Sequence, residues 1–496
     1  MIRILVTGFY LLIVSFTISA QTVQSVISKA DSCLNVIKKA NGQGSFYAEY
    51  TDTGEQILDL NGEEALAPAS CMKILTSSAA LAKLGGDYRY ETKIFYDGEI
   101  GKGGILNGNI YIVGDGDPTL GSNKIKGSLP LDSLIDHWVE AVKAKGIKKI
   151  NGRIFADALK YEMYTVPDDW PWIDIGNYYG AGASALTINE NMYSIYFRPG
   201  SKEGSKADVL RTEPEISWLS FINKMMTGKE GSGDNGYIYC APLQTQAVLK
   251  GTVPAGVPEF SIKGSIPDPS YFAAFYFSKA LLRSGIIFQN TDIDLSNIAA
   301  KLDYPVAYDN AKKISSVISP SLRKIVFIIN KKSHNLYTEQ ILRELAYKQK
   351  KEGSTKKGIE ALYDFMKENN IPSEGVYLHD GCGLSRSDAI TAKTFVKILS
   401  FNTKQNYFND FYNSLGIAGK EDDEGFFQNY GRHTLIENNA RIKDGLIGHV
   451  RSHTGYVKSR SGRLIAFSFI ANNYNGQTKD INKMHTEMMI KLAELR

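Results

Sequence analysis

Pro68-Ala69-Ser70-Cys71-Met72-Lys73 opens a long apolar run that ends at Gly85-Gly86. The spacing of the apolar residues predicts a buried helix over residues 71–84, with the glycine pair as its stop. On such a helix Ser70 and Lys73 lie one turn apart on the same face. An unpaired ammonium is costly to bury, so a lysine at the start of this helix needs a specific reason to be there.

Two interpretations of Ser70 and Lys73 compete. In the structural one, Ser70 caps the helix and the Lys73 side chain extends along the surface to reach water. In the catalytic one, Ser70 is a nucleophile and Lys73, with a lowered pKa, accepts its proton. The catalytic interpretation requires a polar group that holds the lysine and a set of donors for an anionic substrate.

Candidates for both groups follow later in the chain. Ser333-His334-Asn335 comes after the apolar run Ile325–Ile329, which is predicted to be a strand. His453-Thr454-Gly455 lies in a predicted strand over residues 448–458, whose predicted partner covers 464–470. The order S-x-x-K, S-x-N and [KH]-T-G is typical of serine β-lactamases and penicillin-binding proteins.

With these motifs the chain resembles the D-alanyl-D-alanine carboxypeptidase/endopeptidases of the penicillin-binding protein 4 type. The resemblance covers nearly the whole chain after residue 20. It includes Gly114-Asp115-Gly116-Asp117-Pro118, the stretch from Trp170 to Gly182, and Asp380-Gly381-Cys382-Gly383-Leu384-Ser385-Arg386. Two positions depart from the family pattern: His453 stands where lysine is usual, and Cys382 where serine is usual.

The resemblance implies an α+β multidomain fold. Its transpeptidase/serine β-lactamase-like domain has a central antiparallel sheet flanked by helices and carries a large β-rich insertion. The 496 residues are too many for a single core. We expect residues 21–94 and 311–496 to form the catalytic domain. Residues 95–310, rich in short glycine-broken strands, are expected to form the insertion as one or two subdomains.

The resemblance also implies catalytic roles. Ser70 would attack the carbonyl of the penultimate residue, and neutral Lys73 would take its proton. Ser333 would relay a proton to the leaving amine. Asn335 would orient Lys73 and the substrate amide.

A second set of residues is expected to bind the substrate. His453 and Thr454, in the strand that also holds Gly455, would bind the terminal carboxylate. The backbone N–H groups of Ser70 and Tyr456 would hold the oxyanion. Asp157 falls where an aspartate of the insertion is suspected of meeting the amino group of the third peptide residue, although a structural aspartate at a strand end fits its context as well.

The expected substrates are peptidoglycan stem peptides ending in D-Ala-D-Ala, with β-lactam antibiotics as covalent inhibitors. Cross-link cleavage is a further expected activity; a β-lactamase and a catalytically weak peptidoglycan-binding scaffold are the alternatives. No cofactor is expected. The seven histidines show no metal-type spacing, so no metal site is predicted. The net charge of +4 does not favour nucleic-acid binding.

Residues 1–20 combine Arg3 with a largely apolar run that closes on Ile18-Ser19-Ala20. This pattern predicts a secretory signal peptide cleaved before Gln21, hence export to the periplasm, with loose membrane association as a further option. The alternative is an uncleaved membrane anchor, because the run is nearly long enough to span a bilayer.

Overall fold

The computed structural model describes residues 23–289 and 295–496. The predicted signal peptide, residues 1–20, lies outside this part of the chain. Within it, no helix combines the length and the apolar character that crossing a membrane requires.

The helices of the described residues are α1 (23–39), α2 (Lys73–Leu84), α3 (Leu131–Ala144), α4 (Trp172–Ile175), α5 (Pro269–Arg283), α6 (Leu322–Lys332), α7 (Asn335–Lys350), α8 (Thr355–Glu368), α9 (Ala392–Asn402), α10 (Phe408–Ser414) and α11 (Thr478–Ala493). Short 3₁₀ segments cover Ala69–Met72, Tyr178–Gly180, Asn189–Asn191 and Leu295–Asn297.

The strands are β1 (Gln43–Tyr50), β2 (Gln56–Leu60), β3 (Ala65–Leu66), β4 (Glu91–Tyr96), β5 (Glu99–Gly101), β6 (Ile105–Asn107), β7 (Ile110–Val113), β8 (Lys149–Ile150), β9 (Ile154–Asp157), β10 (Met192–Arg198), β11 (Asp208–Glu213), β12 (Ser220–Gly228), β13 (Asn235–Tyr239), β14 (Gln246–Pro254), β15 (Phe260–Ser265), β16 (Ile287–Phe288), β17 (Ala299–Lys301), β18 (Lys312–Ile318), β19 (Ile390–Thr391), β20 (Gly416–Ile417), β21 (Arg441–Ile447), β22 (Val450–Lys458) and β23 (Leu464–Asn472).

The chain divides into two compact units. The first contains the described residues up to Gly86, together with Val326–Ser333 and Ile359–Arg496. The second contains Asp87–Ile325 and His334–Gly358. The sequence-based domains, 21–94 with 311–496 around 95–310, stay a prediction; the compact units assign residues 87–94, 311–325 and 334–358 to the second unit rather than the first.

The first unit is built on a six-stranded sheet in the order β2-β1-β23-β22-β21-β20. Every neighbouring pair in it is antiparallel. This confirms the predicted central antiparallel sheet, to which both ends of the chain contribute strands. The central strands β1, β22 and β23 are buried along nearly their whole length, because helices cover both faces of the sheet.

The alternation of side chains along each strand decides which helices they meet. On one face, α1 and α11 form a core with the sheet through residues such as Val26, Ile37 and Met488. On the opposite face, α9 packs against β1, β22 and β23, and α2 packs against α9. Neighbouring residues of β22 therefore point into different layers of the unit.

The second unit is rich in strands, as the fold prediction expected of the inserted region. Its sheets have the orders β17-β9-β7-β4-β18, β16-β8-β6-β5, β11-β10-β15 and β12-β14-β13. One continuous apolar core fills this unit. Helices α3 and α5 contribute Trp138 and Phe277, whose rings meet edge to face at a centroid distance of 5.5 Å.

One predicted element is wrong. The apolar run Ile325–Ile329 was expected to be a strand, but it lies inside helix α6. Leu322, Ile325, Val326 and Ile329 are fully buried, and their spacing of three and four residues is that of one helix face. A short apolar run does not by itself distinguish a buried helix from a buried strand.

Candidate active site

Ser70 and Lys73 lie together at the start of α2. Ser70 belongs to the 3₁₀ turn Ala69–Met72, and Lys73 is the first residue of the helix. The Lys73 ammonium donates to Ser70 Oγ at 2.8 Å, and the lysine is fully buried. The structural interpretation of the pair is therefore wrong: Lys73 does not reach solvent, and no side-chain cap is formed at this helix start.

The turn that carries Ser70 has an unusual backbone. Ala69 has a φ of +47°, a left-handed conformation that costs a non-glycine residue on the order of 1–3 kcal/mol. Gly383 packs directly against this turn, and a Cβ on it would lie 1.9 Å from the Ala69 carbonyl oxygen. Only glycine fits at this point, so the close contact fixes the position of the nucleophile turn.

The segment Asp380–Ser385 supplies the second acceptor for Lys73. The Lys73 ammonium donates to the Cys382 carbonyl oxygen at 2.7 Å. The Asp380 carboxylate holds this segment by accepting the backbone N–H groups of Cys382, Gly383, Leu384 and Ser385. The motif thus forms a turn beside Lys73, and its contribution to the lysine is a main-chain carbonyl. The departure from serine at position 382 leaves that carbonyl in place.

Ser333 follows the last residue of α6 and is held against β21. Its φ is +54°, again left-handed for a non-glycine residue. Its Oγ accepts a hydrogen bond from the Lys443 ammonium at 3.1 Å. Two residues earlier, Lys331 forms an ion pair with Asp423, and both side chains are almost fully buried. This buried pair anchors the end of α6 within the first unit.

Strands β21 and β22 pack directly on the nucleophile turn. Cys71 Sγ donates to the Lys443 carbonyl oxygen at 3.2 Å, and Ser452 Oγ donates to the Pro68 carbonyl oxygen at 2.6 Å. A Cβ on Gly445 would lie 2.3 Å from that same Pro68 oxygen. Lys443 is thereby placed next to the Ser70 turn as well as next to Ser333.

The structure contradicts the role predicted for His453. Its side chain lies on the opposite face of β22 from Ser452, and its Nδ1 is 2.9 Å from Nδ1 of His485 on α11. Burial, followed by the charge of Arg451, lowers the pKa of His453 well below its ordinary value. A fully buried neutral imidazole behind the sheet does not bind a carboxylate.

The other residues of that predicted motif are also engaged in the sheet. Thr454 Oγ1 forms a hydrogen bond with Ser468 Oγ at 2.8 Å on the neighbouring strand. Gly455 lies so close to β21 that a Cβ would stand 1.8 Å from the Arg441 carbonyl oxygen. Tyr456 pairs with both neighbouring strands, so its backbone N–H is committed to the interior of the sheet rather than to an oxyanion.

Lys443 is the cation that the sequence analysis missed. It begins Lys443-Asp444-Gly445 on β21, one strand before the motif that was chosen. The sequence feature that could have revealed it is the K-x-G triplet on β21, the strand that pairs with β22. Lys443 pairs across the strands with Thr454, and Asp444 pairs with His453. The register therefore places Lys443 and His453 on opposite faces.

Asp444 lies between two cations. Its carboxylate is 3.3 Å from the Lys443 ammonium and 2.7 Å from the Arg451 guanidinium. Burial would raise the pKa of Asp444, but Lys443 and Arg451 outweigh it and hold that pKa at about 2. Asp444 is therefore an ionised carboxylate at any physiological pH.

Asn335 is the first residue of α7, in the second unit. Its side-chain amide donates to the Tyr179 carbonyl oxygen at 2.8 Å. His334 stacks on Tyr337, and its Nε2 lies 3.3 Å from the Glu190 carboxylate. The predicted orientation of Lys73 by Asn335 stays a prediction.

Asp157 lies at the end of β9 in the second unit. One carboxylate oxygen accepts from the Tyr308 hydroxyl at 2.7 Å, and the other accepts from the backbone N–H of Leu159 at 3.0 Å. These contacts are those of a structural aspartate at a strand end. The predicted contact with a substrate amino group stays a prediction.

Taken together, the first unit holds a serine hydroxyl bonded to a buried lysine, and a second serine bonded to a second lysine. Such a set can activate a hydroxyl nucleophile and present a cation to an anionic group. These are the groups that acyl transfer through a serine ester requires.

The sequence comparisons agree with this chemistry. The pattern of the D-Ala-D-Ala carboxypeptidase 3 (S13) family matches residues 32–494. The chain is 28% identical to the D-alanyl-D-alanine carboxypeptidase of Actinomadura sp. (strain R39) over 436 residues, which cover 86% of this chain and 77% of that protein. It is 23% identical to the D-alanyl-D-alanine carboxypeptidase DacB of Haemophilus influenzae over 481 residues, or 94% and 92% of the two chains.

A solved structure has the same fold. The crystal structure of penicillin binding protein 4 (dacB) from Haemophilus influenzae superposes with a TM-score of 0.76 at 21% identity, covering 92% of this chain and 97% of the other. A second structure of that protein, complexed with a β-lactam, gives a TM-score of 0.72 at 20% identity over the same shares of the two chains.

Proposed function

The chain belongs to the D-Ala-D-Ala carboxypeptidase 3 (S13) family, and from that membership we propose how its own residues carry out the reaction. The enzyme is a serine-type D-Ala-D-Ala carboxypeptidase that acts on peptidoglycan stem peptides. The observation that carries the mechanism is the 2.8 Å hydrogen bond from the Lys73 ammonium to Ser70 Oγ. It supports Ser70 as the nucleophile and Lys73 as its proton acceptor.

In the first step Ser70 Oγ attacks the carbonyl carbon of the penultimate D-Ala. Lys73, once neutral, accepts the hydroxyl proton. Lys73 is fully buried, and this step needs its neutral amine. The carbonyl of Cys382 and the hydroxyl of Ser70 fix the direction of the amine.

The tetrahedral oxyanion needs backbone donors. We assign them to the N–H of Ser70 and to an N–H on the outer edge of β21. Strand β20 pairs with β21 only at Arg441 and Ile442, so within the described residues no strand covers the edge from Lys443 to Ile447. Loss of one such donor typically costs about 2.7–4 kcal/mol of transition-state stabilisation.

Lys443 takes the role first predicted for His453. Its ammonium donates to Ser333 Oγ at 3.1 Å and so supports the serine that relays a proton to the leaving amine. We therefore assign recognition of the substrate's terminal carboxylate to Lys443. The role predicted for Asn335 in orienting Lys73 and the substrate amide stays a prediction.

Water then hydrolyses the acyl-enzyme and releases the shortened peptide. A β-lactam, which resembles acyl-D-Ala-D-Ala, would acylate Ser70 and leave a slowly hydrolysed ester. Cross-link cleavage would use the same acyl step with a different leaving amine. Export to the periplasm, proposed from residues 1–20, would bring the enzyme to these substrates.

The test is product analysis with a purified stem peptide that ends in D-Ala-D-Ala. Mass spectrometry should find loss of one alanine with the wild-type protein and none with Ser70→Ala. The exposed Ser461→Ala is the matched control and should retain wild-type activity. Undiminished alanine release by a folded Ser70→Ala protein would refute the assignment.

A further inference from the structure

The ammonium group of Lys443 is fully occupied within the first unit. A lysine ammonium has three N–H donors and no acceptor. Its three acceptors here are Ser333 Oγ at 3.1 Å, the Asp444 carbonyl oxygen at 2.6 Å and the Asp444 carboxylate at 3.3 Å. An incoming carboxylate must therefore displace one of these groups before Lys443 can bind it.

Asp444 also places a negative charge between the two cations Lys443 and Arg451. Its second carboxylate oxygen accepts from the Arg451 guanidinium at 2.7 Å, and Arg451 is further held by Tyr430 and Asn482. The Lys443 side chain is 1% exposed and that of Asp444 17%, so solvent screens this group of charges only weakly. A substrate carboxylate that approaches Lys443 therefore also approaches the negative charge of Asp444.

We propose that Asp444 is a specificity-determining residue that weakens selection for a free C-terminal carboxylate and lets the enzyme accept uncharged C-terminal groups. The substrate class is N-acyl-D-Ala-D-Ala with a C-terminal carboxamide, cleaved alongside the free acid. In the carboxamide the negative charge that Asp444 repels is absent, and the amide oxygen can still accept from the Lys443 ammonium. This inference rests on the proposed function, because it assigns Lys443 to the group beyond the scissile bond.

The experiment compares kcat/KM for two substrates, diacetyl-L-Lys-D-Ala-D-Ala and its C-terminal carboxamide. Asp444→Asn removes the negative charge at nearly unchanged size and keeps one side-chain oxygen acceptor, for either Lys443 or Arg451. Asp480→Asn, on the exposed start of α11, makes the same charge change away from the site and serves as the control.

We expect the wild-type protein to prefer the free acid by less than about tenfold, which is the worth of one weak charge-assisted hydrogen bond. Asp444→Asn should raise the ratio of acid to amide by about tenfold or more, mainly through faster use of the acid. Asp480→Asn should leave the ratio unchanged. A purely structural role of Asp444 would change both substrates equally and leave the ratio where it was.

An unchanged or lower ratio in folded Asp444→Asn would overturn the inference and leave the proposed function standing. Asp444→Ser, which removes the carboxylate and frees one donor of Lys443, provides the same comparison if the asparagine variant does not fold. Failure of the wild-type protein to cleave either substrate would instead count against the proposed function, and the inference would fall with it.

Discussion

Replacing Lys443 and His453 in turn tests which of them serves the active site. Lys443→Met removes the ammonium and keeps the length of the side chain. Asp444 retains Arg451 as a partner in this variant, so no buried carboxylate is left without a cation. His453→Leu is the matched change on the neighbouring strand, at a residue that is equally buried but faces α11.

The expected magnitude follows from the contacts. Lys443 donates one charge-assisted hydrogen bond to Ser333 and is assigned another to the substrate carboxylate. A hydrogen bond to a charged group is worth about 1.5–3 kcal/mol, which corresponds to about a 10- to 150-fold fall in kcat/KM when it is lost. His453→Leu touches neither Ser333 nor Lys443, so kcat/KM should change less than about threefold. His453→Leu should instead lower the stability of the protein, because His485 loses its hydrogen-bond partner.

The assay is release of D-Ala from diacetyl-L-Lys-D-Ala-D-Ala, with the melting temperature of each variant measured in parallel. We expect Lys443→Met to lose activity at a nearly unchanged melting temperature, and His453→Leu to keep activity at a lowered one. The reverse pattern, with an inactive but fully stable His453→Leu and an active Lys443→Met, would refute the assignment of the substrate-binding cation to Lys443 on β21.

The remaining predictions concern the lysine base, the buried histidines and the end of α6. Lys73→Met should slow acylation by a penicillin by about 100- to 10,000-fold while the melting temperature is retained, as stopped-flow acylation and calorimetry would establish. Burial, followed by the charge of Arg451, lowers the pKa of His485 to about 3, and that of His453 is lowered too. Because an unfolded histidine has a pKa of about 6.5, this stabilisation is present above pH 6.5 and is lost as the pH falls. Protonation of His485 in the unfolded state should by itself lower the unfolding free energy by about 2 kcal/mol between pH 7 and pH 5. Urea titrations should find this pH dependence reduced in His453→Leu/His485→Leu. Lys331→Met leaves Asp423 buried without its cation and should lower the unfolding free energy by about 3–5 kcal/mol, whereas a loss below 1 kcal/mol would contradict the anchoring role.

The local periodicity of apolar residues was sufficient to predict the helix next to the nucleophile and the hairpin of the central sheet. Helix α2 with its glycine stop and the hairpin of β22 and β23 were predicted within a few residues of their observed bounds. Their patterns are long and unambiguous, so the period of the apolar residues decides the type of element. The run within α6 was too short for that test, and it was assigned to the wrong type.

Two features of the site could not be predicted from local sequence patterns. The second acceptor for Lys73 is a main-chain carbonyl 309 residues away. Every residue has such a carbonyl, so the side chain at position 382 does not identify it. Binding of the terminal carboxylate was assigned to His453 because Thr454-Gly455 follows it, although the neighbouring strand contains Lys443. Only the register of β21 against β22 reveals which of the two faces the nucleophile turn, since a shift of one residue exchanges the faces.

The central claim is that Ser70 forms the acyl-enzyme. The most direct test is to incubate the full chain with a penicillin, digest it, and locate the added mass by tandem mass spectrometry. We predict one penicilloyl group, attached to Ser70 Oγ, and no adduct on a folded Ser70→Ala protein. A stable adduct on any other residue, or labelling of Ser70→Ala at the wild-type level, would contradict the account.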